Sequence, residues 1–384
     1  MKILVLNGGS SSLKATLRDP DQRAPLWSAQ ADWGREAGTA ELRVNGESRP
    51  PIRIQRPADV VRPVIELAPG GVDAVGHRVV HGGQSLQKTT RITAEVEAEI
   101  RKYAEFAPEH NRLELDAIEA VEATLGSAMP QFAVFDTAFH STMPEAARVY
   151  PGPFAWWEQG IRRFGFHGIS HQYVSRRAVE MLAGRGEAAR LVTCHIGNGA
   201  SLAAVLDGKS IDTTMGFTPL EGLMMGTRSG TLDPGILIYL VRHGGHDAAE
   251  IDHLLNNESG LKGTSGISGD MRDILQAIGQ GDERARLAFD VYVHRMCREI
   301  GGMVASLGGI DVLVFTAGIG ENCPELRESV CERLAFLGIH LDRERNAAPQ
   351  LDADISLPDS PARVLVIRTD EDWEIARAVA AATS

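Results

Sequence analysis

The sequence predicts an α/β protein made of two similar halves, and three observations carry that expectation. Its 384 residues exceed the length of one typical domain. Short apolar runs repeatedly end in glycine-rich turns and alternate with helical patterns, the order that builds α/β layers. Residues 7–17, NGGSSSLKATL, also align without gaps to residues 196–206, IGNGASLAAVL, with five identities in eleven. Chance alone can match small residues. The shared setting, a strand–glycine turn–strand opening each half, favours duplication.

The elements follow in order. Ile3–Leu6 and Leu13–Leu17 read as strands around the first glycine–serine turn. Residues 18–60 carry little regular signal, apart from a hairpin turn at Asn45-Gly46. Ala74–Val80 is an apolar run ending in His81-Gly82-Gly83. Thr93 caps a helix with Val96, Ile100 and Tyr103 on one face. A second helix spans about Leu113–Leu125, and Phe132–Phe135 is a buried strand ending at Asp136. The chain then reads as loop-rich until Arg190. Leu191–His195, Ala200–Leu206 and Lys209–Thr213 are strands, the last two joined at Asp207-Gly208. Residues 215–235 are irregular. The longest helix is Glu283–Leu307, followed by a strand Val312–Thr316 and a loop Ala317–Asn322. A helix then runs from Pro324 to Gly338. Val364–Ile367 and Asp372–Ala382 close the chain as strand and helix.

A formal charge of −12 disfavours nucleic acid and membrane surfaces, which attract basic patches. There is no apolar run of transmembrane length, and Ile3–Leu6 is too short for a signal-peptide core. The four cysteines form no CxxC pair, so reduced thiols and a cytoplasmic location are expected.

The glycine turns carry the chemistry. Gly-rich backbone can point several N–H groups into one concavity, a nest for phosphate, although a plain hairpin uses the same residues. Four such turns occur: Asn7–Lys14, His195–Ser201, Gly226–Gly230 and Phe315–Asn322. Together they suggest one nucleotide held by two α/β halves. GGQSLQKT (82–89) lacks the glycine of a P-loop. GIGENC (318–323) is an incomplete dinucleotide fingerprint, which keeps NAD as a minor alternative. The pairs His77/His81 and His167/His171 have i, i+4 spacing without the glutamate of HExxH, and their glycines suggest turns rather than a zinc helix. Arg78 and Arg228 sit among glycines, where a guanidinium fork can meet carboxylate or phosphate.

At these residues the chain resembles the acetate kinase family. NGGSSSLK (7–14) and CHIGNGASL (194–202) are similar to its two signatures. GHRVVHGG (76–83), FDTAFHSTMP (135–144), RRFGFHGISHQYV (162–174), TPLEGLMMGTRSGTLDP (218–234), SGDMRD (268–273), FTAGIGEN (315–322) and TDEDWEIAR (369–377) follow in family order. The match covers the chain apart from about 18–70 and 340–362. It implies two duplicated ribonuclease H-like domains of the actin and sugar kinase superfamily, with ATP in the cleft. The expected division is 1–138 plus 372–384, and 139–371. It also implies a cytoplasmic homodimer that uses ATP/ADP and Mg²⁺, or Mn²⁺ in its place, to phosphorylate a small carboxylate. Neither nucleic acid nor membrane is an expected partner.

The resemblance also distributes roles. Arg78 and Arg228 would hold the carboxylate and the transferring phosphoryl. His167 would donate to that phosphoryl, with His195 and Asn198 beside it. Asp136 would orient the arginine or the substrate, since a carboxylate is already ionised at pH 7 and needs no base. Asn7 and Glu371 would position the metal. Ser10, Ser12, Lys14, Gly197 and Gly199 would face the phosphates. Asp270, Met271, Arg272, Gly318, Ile319, Gly320 and Asn322 would take the adenosine. Val80, Phe166 and Pro219 would line the pocket for the acid's methyl group. Two departures stand out. Glu109 replaces a pocket leucine, so it either turns to solvent or Arg112, leaving acetate as substrate, or selects a polar or longer acid, propionate or a polar analogue. Asp370 replaces an asparagine beside Glu371, adding charge near the metal. A binding protein driven by ATP, like actin or a chaperone, is the remaining alternative, but it has no use for the two arginines.

Overall fold

The computed structural model describes the chain except residues 10–11, 34–37, 104–107, 184–188, 351 and 384, and the side chains of 108–111. It divides into two compact units, Met1–Phe139 with Asp370–Ser384, and His140–Thr369.

In the first unit, β1 (Ile3–Gly8) and β2 (Ser12–Arg18) form an antiparallel hairpin with Asn7 opposite Lys14. Next come β3 (Trp27–Trp33), β4 (Thr39–Val44) and β5 (Glu47–Arg53), which extend it as a meander. The stretch expected to be irregular is thus three strands. In β3 and β4 only alternate residues such as Trp27, Ala29 and Ala31 are buried, and in β5 none is. Asn45 and Gly46 both have positive φ, 50° and 82°, as a two-residue hairpin turn requires.

After α1 (Val61–Glu66), β6 (Ala74–Val79) runs parallel to β1. Then come β7 (Thr90–Arg91), α2 (Ala94–Lys102), α3 (Pro108–Leu125) and β8 (Gln131–Phe135), the last parallel to β6. Thr93 caps α2 by accepting from the Val96 N–H. The third helix begins five residues earlier than expected, at Pro108, whose missing N–H costs nothing in a first turn. The sheet order is β5-β4-β3-β2-β1-β6-β8-β7.

The second unit contains α4 (Glu145–Arg148), α5 (Phe154–Glu158) and α6 (Gly168–Leu182), where only loop was expected. Its strands β9 (Arg190–Ile196), β10 (Ala200–Leu206) and β11 (Lys209–Thr213) form a second meander. After the irregular 214–233 segment come α7 (Pro234–His243), α8 (Ala248–Asn257), α9 (Gly260–Ser265), α10 (Met271–Gly279) and α11 (Glu283–Leu307). The expected stripe on the long helix, from Phe289 to Leu307, is buried.

Strand β12 (Val312–Thr316) lies parallel to β9. Residues Ala317–Asn322 are a short helix, α12, and not a loop. The chain continues through α13 (Pro324–Arg333), α14 (Arg343–Ala347), β13 (Ala353–Asp354) and β14 (Arg363–Val366), then returns to the first unit as α15 (Glu371–Thr383). The second sheet has the order β11-β10-β9-β12-β14-β13.

The two units are similarly built. Each has an antiparallel meander, of five strands in the first unit and three in the second, whose first strand, β1 or β9, continues into two parallel neighbours. The aligned segments 7–17 and 196–206 fall on the same hairpin of each sheet. Parallel strands carry their C-terminal ends to one edge, and an α/β sheet places ligands at that edge.

Candidate active site

In the first unit, that edge carries Asn7 and Gly8 from β1, Arg78 from β6 with Val80 just beyond it, and Asp136 after β8. Arg78 is the hub. Its Nε and Nη2 donate to Asp136 Oδ2 at 3.1 and 2.6 Å, and its Nη1 donates to Asn7 Oδ1 at 3.3 Å and to the Gly8 carbonyl at 3.2 Å. Asp136 is 1% exposed. Burial would pull the guanidinium down, but the charges of Asp136 and Glu371 outweigh it and hold Arg78 above its ordinary value.

Asn7 Nδ2 in turn donates to Glu371 Oε2 (3.3 Å) and Asp372 Oδ1 (3.0 Å) in the first turn of α15. These hard oxygen donors are the set Mg²⁺ takes. Among the described residues no group of three or more His, Cys, Asp or Glu forms a cage for a metal. Asp370 is turned to Arg18, which grips it with Nη2 at 2.7 Å and Nη1 at 3.3 Å. The extra carboxylate relative to the family pattern therefore has its own cation.

A buried glutamate completes this cluster. Glu114 on α3 is 3% exposed, and its Oε1 accepts the Val80 N–H at 3.0 Å. It lines a cavity of about 10 Å³ with Leu13, His77 and Arg78. Burial, reinforced by the Asp136 charge and opposed by Arg78 and the Val80 N–H, pushes its carboxyl up to about 8.

In the second unit, His167 immediately precedes α6 in the left-handed conformation, φ 57° and ψ 23°. Strain of this kind in a side chain with a Cβ persists only where the surroundings fix it, and it collects at functional sites. Its ring stacks on His195, with centroids 4.2 Å apart. His195 Nδ1 bonds Ser170 Oγ at 2.8 Å. Arg228, in the irregular segment, donates to the Pro219 carbonyl at 3.3 Å. An ideal Cβ on Gly199 would lie 3.5 Å from the His167 ring and 3.6 Å from Arg228 Nη1. The glycine turn, the histidine and the arginine thus converge on one point. Gly226 is held to glycine more tightly, since a Cβ there would meet Asn198 Oδ1 at 2.4 Å.

A cavity of about 610 Å³ opens beside this point. Its lining includes Gly197, Asn198, Asp270, Met271, Arg272, Gly318, Ile319 and Asn322, all expected to bind nucleotide, together with Gly269, Leu275 and Cys323. The volume suits a small-molecule site. Asp270 caps α10 through the Arg272 N–H and also holds the exposed Arg272 guanidinium at 2.5 Å. Ala317, at φ 65°, opens α12. Its N–H and that of Thr369 both donate to Glu321 Oε1, at 2.8 and 3.1 Å. Arg327, fully buried, donates to the Gly320 and Glu321 carbonyls at 2.8 and 2.9 Å. These bonds make a helix of the segment expected to be a loop.

The remaining expected residues fall as follows. Gly320 lies on the buried side of α12 and does not line the cavity. Phe166 is 1% exposed and Val80 5% exposed. Lys14 is exposed on β2, and Ser12 is half-buried. Ser10 and the Glu109 side chain lie outside the described residues. His77, read as half of a histidine pair, bonds Gln131 at 2.8 Å, and burial lowers it to about 4. His171, expected in a turn, lies in α6 and bonds Thr193 and Ser201. Glu114, Asp372 and Arg327 escape the sequence reading. Glu114 and Asp372 act through partners distant in the chain and Arg327 through the carbonyls of the preceding short helix, and no local motif marks them.

A family model described as the Acetokinase family matches residues 2–377. The acetate kinase of Gloeobacter violaceus is 52% identical over 397 residues, covering 98% of each chain. The crystal structure of Porphyromonas gingivalis acetate kinase superposes with a TM-score of 0.91 at 40% identity over 100% of both chains. That of a propionate kinase from Francisella tularensis gives 0.90 at 37% identity over 98% of both.

Proposed function

The chain belongs to the acetokinase family, and we infer that it is a phosphotransferase with a carboxyl acceptor, which transfers the γ-phosphoryl group of ATP to acetate and back. The observation that carries the reading is the cavity lined by Gly197, Asn198, Asp270–Arg272, Gly318, Ile319 and Asn322. Met271, Leu275 and Ile319 offer apolar walls for a base, and Asp270, Arg272 and Asn322 offer polar partners for a sugar.

A carboxylate oxygen attacks the γ-phosphorus in line as the bond to the β-phosphate bridging oxygen breaks and ADP leaves. The nucleophile is already ionised, so the chain's task is to bring two anions together and neutralise them. Arg78, aimed by Asp136, would hold the carboxylate. Val80, Phe166 and Pro219 would shape its methyl pocket. Arg228, His167, His195 and Asn198 would meet the charge on the transferring phosphoryl. Ser10, Ser12, Lys14, Gly197 and Gly199 would serve the phosphates. Glu371 and Asn7, with Asp372, would hold Mg²⁺, which neutralises phosphate charge when bound.

The test is ADP release from Mg·ATP by the purified chain, with acetate, propionate and a hydroxy acid in turn. Acetate should give the highest kcat/KM. Turnover unmoved by every acid would sink the kinase reading and favour the ATP-driven binding protein. The propionate kinase neighbour gives the second reading, a different acid preference. A Glu109→Leu variant tests it, because an unchanged preference removes Glu109 from substrate selection.

Helix α7 supports the homodimer. Its sequence PGILIYLVRH is apolar on every face, yet Ile236, Ile238, Tyr239 and Val241 are 44–62% exposed in the single chain. A helix apolar all round is normally buried. We expect the chain to sediment as a dimer and Ile238→Glu to weaken the association by about 100-fold or more, through burial of an unpaired charge. A monomeric wild type would overturn this.

A further inference from the structure

We propose that a buried chain of hydrogen bonds, Thr193–His171–Ser201, fixes the tautomer of His167 with its proton on Nδ1, so that His167 can donate from Nε2 only as the imidazolium. The inference deepens the reading of His167 as the donor to the phosphoryl and rests on it for its kinetic consequence.

Of the two directions the chain can run, one also keeps the hydrogen bond from Thr193 to the Ala203 carbonyl. Ser201 Oγ lies 2.9 Å from His167 Nδ1 and 2.8 Å from His171 Nε2. A hydroxyl has one proton, so it donates to one of these nitrogens and accepts from the other. The choice is made at the far end. His171 Nδ1 lies 2.7 Å from Thr193 Oγ1, and the Thr193 hydroxyl donates to the Ala203 carbonyl at 3.4 Å. With that proton spent, Thr193 accepts from His171 Nδ1–H. His171 is fully buried. Burial first, then the neighbouring His140 and His195, drive its pKa well below the ordinary range, so it is neutral and owns one N–H. Its Nε2 therefore accepts from Ser201, and Ser201 must accept from His167 Nδ1–H.

The adjoining imidazole obeys the same logic. His140 Nε2 is 3.0 Å from the Phe166 carbonyl, which can only accept, so His140 carries its proton there and Nδ1 accepts from Ser210 Oγ at 2.8 Å. The titratable and charged groups around His167 in this unit are His195 stacked on its ring, His171 through Ser201, His140 behind His171, and Arg228 across Gly199. None of these is a carboxylate, and the group bonded to His167 Nδ1 is the Ser201 hydroxyl at the end of the chain. Its left-handed backbone conformation holds the ring on Ser201.

The experiment is ¹⁵N NMR of histidine-labelled protein, with the His167 signals assigned by their loss in His167→Gln. Neutral wild-type His167 should show the Nδ1–H pattern. In Thr193→Val, which keeps the shape and removes the acceptor, His171 should move its proton to Nε2, Ser201 should turn, and His167 should appear as Nε2–H. Thr193→Ser, which keeps the hydroxyl, should read as wild type. If Thr193→Val fails to fold, Ser201→Ala serves, and there His167 should populate both tautomers. An Nε2–H pattern in the wild type, or the same pattern in wild type and folded variant, would overturn the proposal. The kinetic arm is separate. Wild-type kcat should drop about 100-fold between the imidazolium and neutral forms of His167 as pH is raised, and Thr193→Val should lose much less with KM for ATP unchanged. A tautomer switch without this kinetic change upholds the hydrogen-bond chain and overturns the donor role instead.

Discussion

Arg78→Leu is expected to lower kcat by about 10³-fold or more, the scale of losing a charge-stabilising donor at a transferring group. It should also destabilise the fold by about 3–5 kcal/mol, because Asp136 would remain as a buried carboxylate without its cation. The two effects can be separated. In Arg78→Leu with Asp136→Asn, the orphaned charge is gone and most of the stability should return, while the rate should stay low. Arg78→Lys keeps a charge but not the fork. Three guanidinium nitrogens are committed at once to Asp136, Asn7 and Gly8, and one ammonium cannot span those directions. It should therefore fold well and still lose about 10²-fold in kcat. Steady-state rates at saturating Mg·ATP, with thermal melts in parallel, decide the matter. A double variant with near wild-type turnover would reduce Arg78 to a structural residue.

What the sequence disclosed follows the physics of each element. Strands buried on both faces, such as Val312–Thr316, and the apolar stripe of Glu283–Leu307 advertise themselves by composition and period. The meander Trp27–Arg53 does not, since one side of each strand is polar and its register is set by β2. Helix α6 was hidden because its buried face holds Ser170, His171 and Ser175, which are satisfied by hydrogen bonds and not by apolar contact. Residues 317–322 look like a glycine loop until Glu321 and Arg327 are seen to bind its backbone. The candidate site divides in the same way. Residues in glycine-rich motifs (Arg78, Asn198, Arg228, Gly318) were legible through the family pattern. Of the residues whose role is to touch those residues, Asp136 was legible in the same way and others were not. Glu114, Thr193 and Ser201 lie on an ordinary helix and two ordinary strands, and only the fold brings them to Arg78 and His167.

Glu114 gives the second large effect, and it reads directly as stability against pH. Its carboxyl ordinarily titrates near 4.5, and burial pushes it up to about 8 in the folded chain. Between those values the native state holds a proton that the unfolded chain has released. Stability therefore falls as pH rises through the window, by up to about 5 kcal/mol in total, and levels off above pH 8. Glu114→Gln removes the titration and keeps an oxygen to accept the Val80 N–H. Relative to wild type, the variant should gain nothing further below about pH 4.5, about 3 kcal/mol by pH 7 and about 5 kcal/mol above pH 8. Any constant cost of seating an amide in the cavity beside Arg78 cancels from that slope. Denaturant melts of both proteins at pH 5 and pH 8.5 measure it, and parallel stabilities would show that Glu114 is ionised in the native state. The same neutrality bears on catalysis. An ionised Glu114 would compete with Asp136 for Arg78, whereas a protonated one leaves the guanidinium aimed by Asp136 alone. In wild type, then, acetate affinity should decline as pH rises through about 8, where the native carboxyl ionises and the stability loss levels off, and Glu114→Gln should abolish that decline.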